Sequence, residues 1–369
     1  MRFTCEKSML VYGLNITGRA VAQKSALSAI EGILCKAGTD IALTGYNMET
    51  AITYNIEADV ADPGECILPA RLFGDIIRRL PEGPVTVVVD DNYKVSIRAG
   101  YASFTISAEN ADDYPELPDV GNGRSTGIPQ SALKELIGGT IFAVSENQGR
   151  PIHTGVKFEV QDCNVSAIAV DGFRLARRTY HTEESTGRDT AFVVPSVALK
   201  EVEKILQDSD ELVYFTLGSK HILFELGKAT LTCRLLEGDF LDWRKVVPTN
   251  CPVKLVAHVS DLVSAIERVG LIVSEKYKSP VRCIFGDNVL HLKTNTTIGA
   301  AEDRCAIAGD GKELEIGFND RYLADSLRAI PGEEVVLELT NGLSPIVLTP
   351  AETDKYDYSY MVLPVRLRT

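Results

Sequence analysis

The sequence predicts an α+β protein of three similar domains, each an antiparallel sheet carrying two helices. Three observations predict it. The 369 residues divide into thirds, each long enough to bury a core of its own. A helix-opening pattern, Ser ahead of apolar residues at helical spacing, recurs at Ser8, Ser131 and Ser260, 123 and 129 residues apart. A second helix opens at Pro69, Pro195 and Asn319, 126 and 124 residues apart, and two alternating strands follow each time.

Each unit then reads strand, helix, several strands, helix, hairpin. In the first, residues 7–24 form the opening helix and 71–80 the second, ending at Leu80-Pro81-Glu82-Gly83. Strands at 85–89 and 93–98 flank the turn residues Asp91-Asn92. The second unit repeats this with helices at 130–145 and 196–207 and strands at 212–217 and 221–226, parted by Gly218-Ser219. The third has helices at 260–275 and 319–330, the latter ending at Pro331-Gly332, and strands at 335–339 and 344–349. Two helices cover one sheet face, and strand alternation leaves the other wet. A polar Gly-rich connector at 120–127 and a Pro-bounded one at 248–252 set domains of 1–120, 128–249 and 250–369.

Composition excludes several classes. The hydrophobic share of 45% is too high for a disordered chain. No apolar run approaches the ~18–20 residues of a membrane span. Residues 1–25 hold Glu6, Lys7, Asn15 and Arg19, unlike a secretory signal. The net charge of −13 argues against coating nucleic acid with the whole surface, but not against a local basic face. Such a face is present. Helix 7–24 carries Lys7, Arg19 and Lys24 and no acid, and helix 71–80 carries Arg71, Arg78 and Arg79 against Asp75 alone. The helices at 130–145, 196–207 and 319–330 are neutral, and that at 260–275 is acidic.

The eight cysteines contain no C-x-x-C pair, and H-E-x-x-H is absent. They read as buried reduced thiols of a cytoplasmic protein, with no metal and no cofactor. Nor is an enzyme expected. Ser131-Ala132-Leu133-Lys134 matches S-x-x-K, but no S-D-N or K-T-G accompanies it, so Ser131 reads as a helix cap and Lys134 as solvated. The glycines of 121–127 lack dinucleotide-loop spacing, and no Walker A is present. His153, His221, His258 and His291 show no ligand spacing, and Asp90-Asp91 and Asp112-Asp113 read as solvated turn acids.

A set of segments in one order carries a resemblance over the whole chain. They are Met1-Arg2-Phe3-Thr4-Cys5-Glu6, Leu68-Pro69-Ala70-Arg71, Asp113-Tyr114-Pro115-Glu116-Leu117, Asp171-Gly172-Phe173-Arg174-Leu175-Ala176, Gly238-Asp239-Phe240-Leu241-Asp242-Trp243 and Met361-Val362-Leu363-Pro364-Val365-Arg366-Leu367. Together they resemble the bacterial DNA polymerase III β subunit family, the sliding clamps. The resemblance implies the DNA clamp fold, sheets outside and helices inside, and a head-to-tail homodimeric ring around double-stranded DNA. It implies a non-catalytic processivity factor that tethers the catalytic subunit of the replicative polymerase. A clamp loader opens the ring, and other replication and repair proteins dock through short peptide motifs.

By the same resemblance Lys24, Arg71, Arg78, Arg79 and Asn147 face DNA. A partner-peptide pocket draws on Val170, Gly172, Phe173, Arg174 and Leu175, then on Leu241, Lys245, Val246, Tyr277 and Leu343. Its last wall is the tail: Met361, Val362, Leu363, Pro364, Val365, Arg366 and Leu367. Phe104 and Ile106 would meet Leu271 and Ile272 across the subunit interface. A three-domain peptide-binding scaffold that never encircles DNA is the other reading the residues allow.

Overall fold

The computed structural model describes residues 1–121, 123, 125–182, 189–273, 279–352 and 356–367. Among these, six α-helices stand in pairs, one pair per third of the chain: α1 (Lys7–Thr17) and α2 (Ala70–Arg79), α3 (Gln130–Gly138) and α4 (Ser196–Ile205), α5 (Val259–Gly270) and α6 (Asp320–Arg328). Every strand pairing is antiparallel. The chain forms two compact units, residues 1–131 with 198–235 and residues 132–197 with 236–369, so the division runs through the middle domain.

The first unit holds two sheets. One has five strands in the order Asp59–Asp62, Arg2–Glu6, Pro84–Val89, Lys94–Ala99, Ala102–Ser107. The other has eight: Ser125–Pro129, Leu212–Leu217, His221–Leu226, Ala229–Arg234, Thr50–Ile56, Ile41–Tyr46, Gly32–Ala37, Gly64–Pro69. Here a strand of the middle domain pairs with one of the N-terminal domain, Ala229 opposite Tyr54 through Cys233 opposite Thr50. The second unit holds one sheet of ten: Asp189–Pro195, Gly155–Gln161, Asn164–Val170, Arg174–His181, Tyr356–Val362, Ile346–Pro350, Glu334–Leu339, Val253–His258, Gly299–Phe318, Val281–Thr296. Its Tyr356–Val362 strand joins the C-terminal domain to Arg174–His181 of the middle one.

The second helix of each pair starts where the sequence marks it. Pro69 precedes α2, Pro195 precedes α4, and the Asn319 side chain caps α6 by accepting the Tyr322 N–H at 3.0 Å. The opening helices differ from expectation. Ser8, Ser131 and Ser260 are not caps but lie one residue inside their helices. A strand runs straight into each helix, and the first helical N–H goes to a backbone carbonyl elsewhere: Lys7 to Gly83 (3.0 Å), Gln130 to Glu211 (2.9 Å) and Val259 to Glu333 (2.8 Å). That bond satisfies one of the four N–H groups that each helix start leaves without an intrahelical partner, a task side-chain caps otherwise share.

The opening helices are also shorter than their patterns. α1 ends at Thr17, where the hydroxyl turns back onto the Gly13 carbonyl (2.8 Å) and the strand Ile41–Tyr46 passes so close at Gly45 that a Cβ there would strike the Thr17 carbonyl. Thr140 repeats that hydroxyl bond, to Leu136, just beyond α3. Arg19 and Lys24 therefore lie outside α1, which keeps only Lys7 of the three cations.

Alternation holds in the hairpin strands: Pro84–Val89, Lys94–Ala99 and Glu334–Leu339 bury every second residue. The expected wet face is lost in the strands before them. Asn164–Val170 is buried at six consecutive residues and Ile41–Tyr46 nearly throughout. Connectors cover their second face. Ala111 and Tyr114 pack on Leu34, Tyr46 and Ile67, with the Tyr114 hydroxyl donating to the Thr44 carbonyl at 3.2 Å.

Candidate functional site

The second unit carries an apolar cluster built from four adjacent strands. Strand register places Val170 opposite Leu175, Leu175 opposite Met361, and Met361 opposite Val347. These four are buried and form one cluster. The connector after the middle domain lies against it with half-buried Phe240, Leu241, Trp243, Val246 and Val247. In the N-terminal domain the corresponding connector closes down, and Tyr114 is buried. Here Trp243 is held partly exposed between two guanidiniums, Arg177 at 4.3 Å and Arg244 at 4.6 Å from its ring.

A buried carboxylate fixes that arrangement. Glu159 accepts from Lys157 (2.7 Å), from Arg244 (3.0 Å) and from the Trp243 indole (3.4 Å). Burial pushes its carboxyl up, but the hydrogen bonds from Lys157 and Arg244 outweigh this and hold it below the usual value. Polar groups rim the surface. Lys245 is exposed with its Nζ 3.5 Å from Asp242, and Leu343 projects from a turn tied by the Asn341 side chain.

The turn at Gly172 (φ 92°) is closed by Asp171, whose carboxylate accepts the Phe173 and Arg174 N–H groups at 2.8 and 2.9 Å. Phe173 is exposed and stacks on Tyr322 at 5.7 Å. The Phe173 carbonyl receives the Leu363 N–H at 2.8 Å, which seats the start of the tail.

Alternation divides the remaining residues. Val362 faces away from Met361 and is fully buried. Arg174 faces away from Leu175, toward the helices, between Phe142 and Tyr322. Val365 bonds Gly317 and Leu367 packs over it, while half-buried Pro364 and exposed Arg366 lie between Leu363 and Leu367. Tyr277 lies outside the described residues. Sequence reasoning missed Phe240, Trp243, Val247 and Val347 as site residues. The first two sit in a quoted segment, but Val347 is revealed only by its pairing with Met361.

The basic residues gather in the first unit. Arg71, Arg78 and Arg79 are exposed on α2, and Arg71 and Arg78 flank a cleft that Gln23, next to Lys24, also lines. Arg78 pairs with Asp75 at 2.8 Å, a hydrogen bond that lowers the Asp75 carboxyl. Asn147, in the second unit, is exposed in a turn that its own side chain ties to Gly149. Such cations can hold phosphates without reading bases.

Phe104, 40% exposed, and half-buried Ile106 lie on Ala102–Ser107, which pairs on one side only. Leu271, 83% exposed, and half-buried Ile272 follow α5 in the second unit.

A threefold antiparallel α+β module, joined strand to strand and carrying an apolar peptide-sized surface, defines the class of DNA-clamp proteins. Models of the N-terminal, central and C-terminal domains of the DNA polymerase III beta subunit match residues 1–118, 127–242 and 244–366. The chain belongs to that family, the bacterial beta sliding clamps, and is a DNA polymerase processivity factor. The beta sliding clamp of Staphylococcus epidermidis is 31% identical, covering 99% of both chains, and that of Staphylococcus aureus is 30% identical with the same coverage. Among solved structures, the Bacillus subtilis clamp superposes with a TM-score of 0.94 at 28% identity. The Pseudomonas aeruginosa clamp, solved bound to griselimycin, does so with 0.94 at 30%. Both alignments cover 100% of each chain.

Proposed function

We propose that two copies of the chain close head to tail into a ring around duplex DNA, with helices lining the hole and sheets outside. The ring does no chemistry of its own. It works in the bacterial cytoplasm, is opened by a clamp loader, and tethers the polymerase's catalytic subunit and other replication and repair proteins. Their short peptides dock on the surface around Leu175 and Met361, and binding like that of griselimycin to the Pseudomonas relative belongs there too.

The strand edges carry the ring reading. In each unit the last hairpin strand of one domain pairs with an inner strand of the preceding domain: Ala229–Arg234 with Thr50–Ile56, and Tyr356–Val362 with Arg174–His181. The N-terminal domain has the equivalent hairpin strand, Ala102–Ser107, bonded only to Lys94–Ala99. The C-terminal domain has the equivalent inner strand, residues 299–306, bonded only to Val281–Thr296. Open edges of two complementary kinds favour a head-to-tail joint, and two copies satisfy all of them.

The experiment separates topology from affinity. Loaded on a nicked circle by its cognate loader, the protein should stay far longer than on the same circle cut once, at equal salt. Equal release rates would leave the scaffold reading in front. Lys24, Arg71 and Arg79 changed to Glu should weaken loading, because local attraction becomes repulsion, without abolishing dimerisation.

A further inference from the structure

The strand register that lines up the apolar cluster also builds a charged row beside it. Two residues along from Val170, Leu175 and Met361, the pairing sets Lys157, Ile168, Arg177 and Ser359 side by side. Two residues further it sets Glu159, Ser166, Thr179 and Asp357. Alternation puts both rows on the face that carries Leu175. None of these residues is among those the family resemblance assigns to the pocket.

Two neighbouring arginines on this strand are served unequally. The Nε of each is buried without a hydrogen-bond partner among the described residues, so the difference lies at their Nη ends. Arg178, on the opposite face, meets Glu135 and the Ala329 carbonyl. Arg177 keeps 18% of its side chain exposed, and its ion-pair partner among the described residues is Asp357, at 3.6 Å and itself a third exposed. Across the Trp243 ring stands another cation, Arg244, at 4.6 Å against 4.3 Å for Arg177. Glu159 is already shared by Lys157 at 2.7 Å and Arg244 at 3.0 Å. Burial holds the Arg177 guanidinium below its ordinary value, Asp357 pulls it back only in part, and Arg244 adds to the depression. Buried cations are matched by anions in hydrogen-bond contact. At Arg177 an incoming carboxylate gains such a bond without breaking a close one.

We propose that Arg177, held between the Trp243 ring and Asp357, receives an acidic side chain of the docking peptide, two residues from the apolar side chain that the peptide lays over Leu175. The inference rests on the peptide-docking reading above and adds a charge requirement to it. The spacing comes from the strand. Arg177 stands two residues from Leu175, about 6.4–6.8 Å along, and an extended peptide repeats its side chains over the same distance. Contact with the Trp243 ring keeps the guanidinium in place, and water replaces it at the partly exposed Asp357.

Calorimetry on the full-length protein tests it, using capped heptapeptides with two adjacent leucines at the centre and Asp, Asn or Lys two residues from one of them. Wild type should bind the Asp peptide at least tenfold tighter than the Asn peptide, and the Lys peptide more weakly still. Arg177→Gln should bring the Asp-to-Asn ratio to about one, and Arg177→Lys should keep part of it. Asp357→Asn removes the competing carboxylate and leaves Arg177 in place. It should raise the ratio, and it covers the case in which Arg177→Gln misfolds. A merely structural role for Arg177 would lower both affinities together and leave the ratio alone. Equal affinity for the Asp and Asn peptides, a ratio that survives Arg177→Gln, or one unmoved by Asp357→Asn would overturn the inference while leaving docking intact. A preference confined to a leucine peptide with a free C-terminal carboxylate would overturn the side-chain assignment. Binding of none of the peptides, or equal binding to Leu175→Ala, would instead overturn the docking reading itself.

Discussion

The Arg174 guanidinium reaches the Asp325 carboxylate at 2.8 Å and so ties the middle domain to the C-terminal one. It also donates to Asp171 (3.0 Å) and to the Phe142 carbonyl (2.6 Å), and lies over the Phe142 and Tyr322 rings. Four residues on, Arg178 is buried on the same strand face, bonded to Glu135 and to the Ala329 carbonyl. The strand thus carries Leu175 of the apolar cluster on one side and a domain tie on the other.

Arg174→Ala should therefore destabilise the second unit. Breaking a buried pair by removing one partner costs ~3–5 kcal/mol; with Asp325 a third exposed, about 2–4 kcal/mol is expected. Arg174→Lys should recover only part, because an ammonium supplies neither the planar fork nor the ring stacking. Urea unfolding with both variants measures this. An Arg174→Ala midpoint equal to wild type would show that the tie contributes nothing.

At the subunit edge, Phe104→Ala with Ile272→Ala should yield monomers at dilute concentration with the domains still folded. Large-to-Ala changes in packed apolar contacts cost ~2–5 kcal/mol each. Light scattering on serial dilution reads the outcome. A double variant still dimeric at nanomolar concentration would remove these residues from the interface.

Trp243 is the sole tryptophan and stands beside the apolar cluster, so its emission should report peptide docking directly. Leu175→Ala, Met361→Ala or deletion of 363–369 should weaken binding at least tenfold, about 1.4 kcal/mol. Unchanged affinity in all three would place docking elsewhere.

The same indole should respond to acid. The Glu159 carboxyl sits below its usual 4.5 in the folded chain, so it contributes stability above pH 4.5 that is lost as pH falls through the lowered native value. On protonation it no longer holds Arg244 as an anion, and Trp243 loses its fixed setting. Emission should shift in acid below pH 4.5 for wild type, and the step should be absent in Glu159→Gln. A step of equal size in both proteins would assign it to another group.

Seven of the eight cysteines are buried and Cys163 is half-exposed. Burial pushes the Cys5, Cys66 and Cys233 thiols up to about 12, leaving almost no thiolate near neutrality. Ellman's reagent should find one fast thiol per native chain and eight after unfolding. Several fast thiols in the native protein would mean that the sheets open readily.

The sequence by itself determined the threefold repeat, the second helix of each domain and the hairpins behind it. These are local facts: a Pro or Asn start, a 3.6-residue period giving way to a period of two, and a Gly or Asn turn. It also marked the basic α2 and the apolar tail. The end of α1 and the caps of the opening helices were decided by tertiary structure, since Gly45 closing on Thr17, and Gly83, Glu211 and Glu333 accepting helix N–H groups, are contacts between residues far apart in the chain. The apolar cluster is of the same kind. Val170, Leu175, Val347 and Met361 look like ordinary core residues in their own strands, and only the register of four strands puts them in a row. What lies over that row is the connector holding Trp243, propped half-buried between Arg177 and Arg244 rather than buried like Tyr114. Side-chain alternation shows which residues share a face, but only pairing between distant strands decides what that face meets.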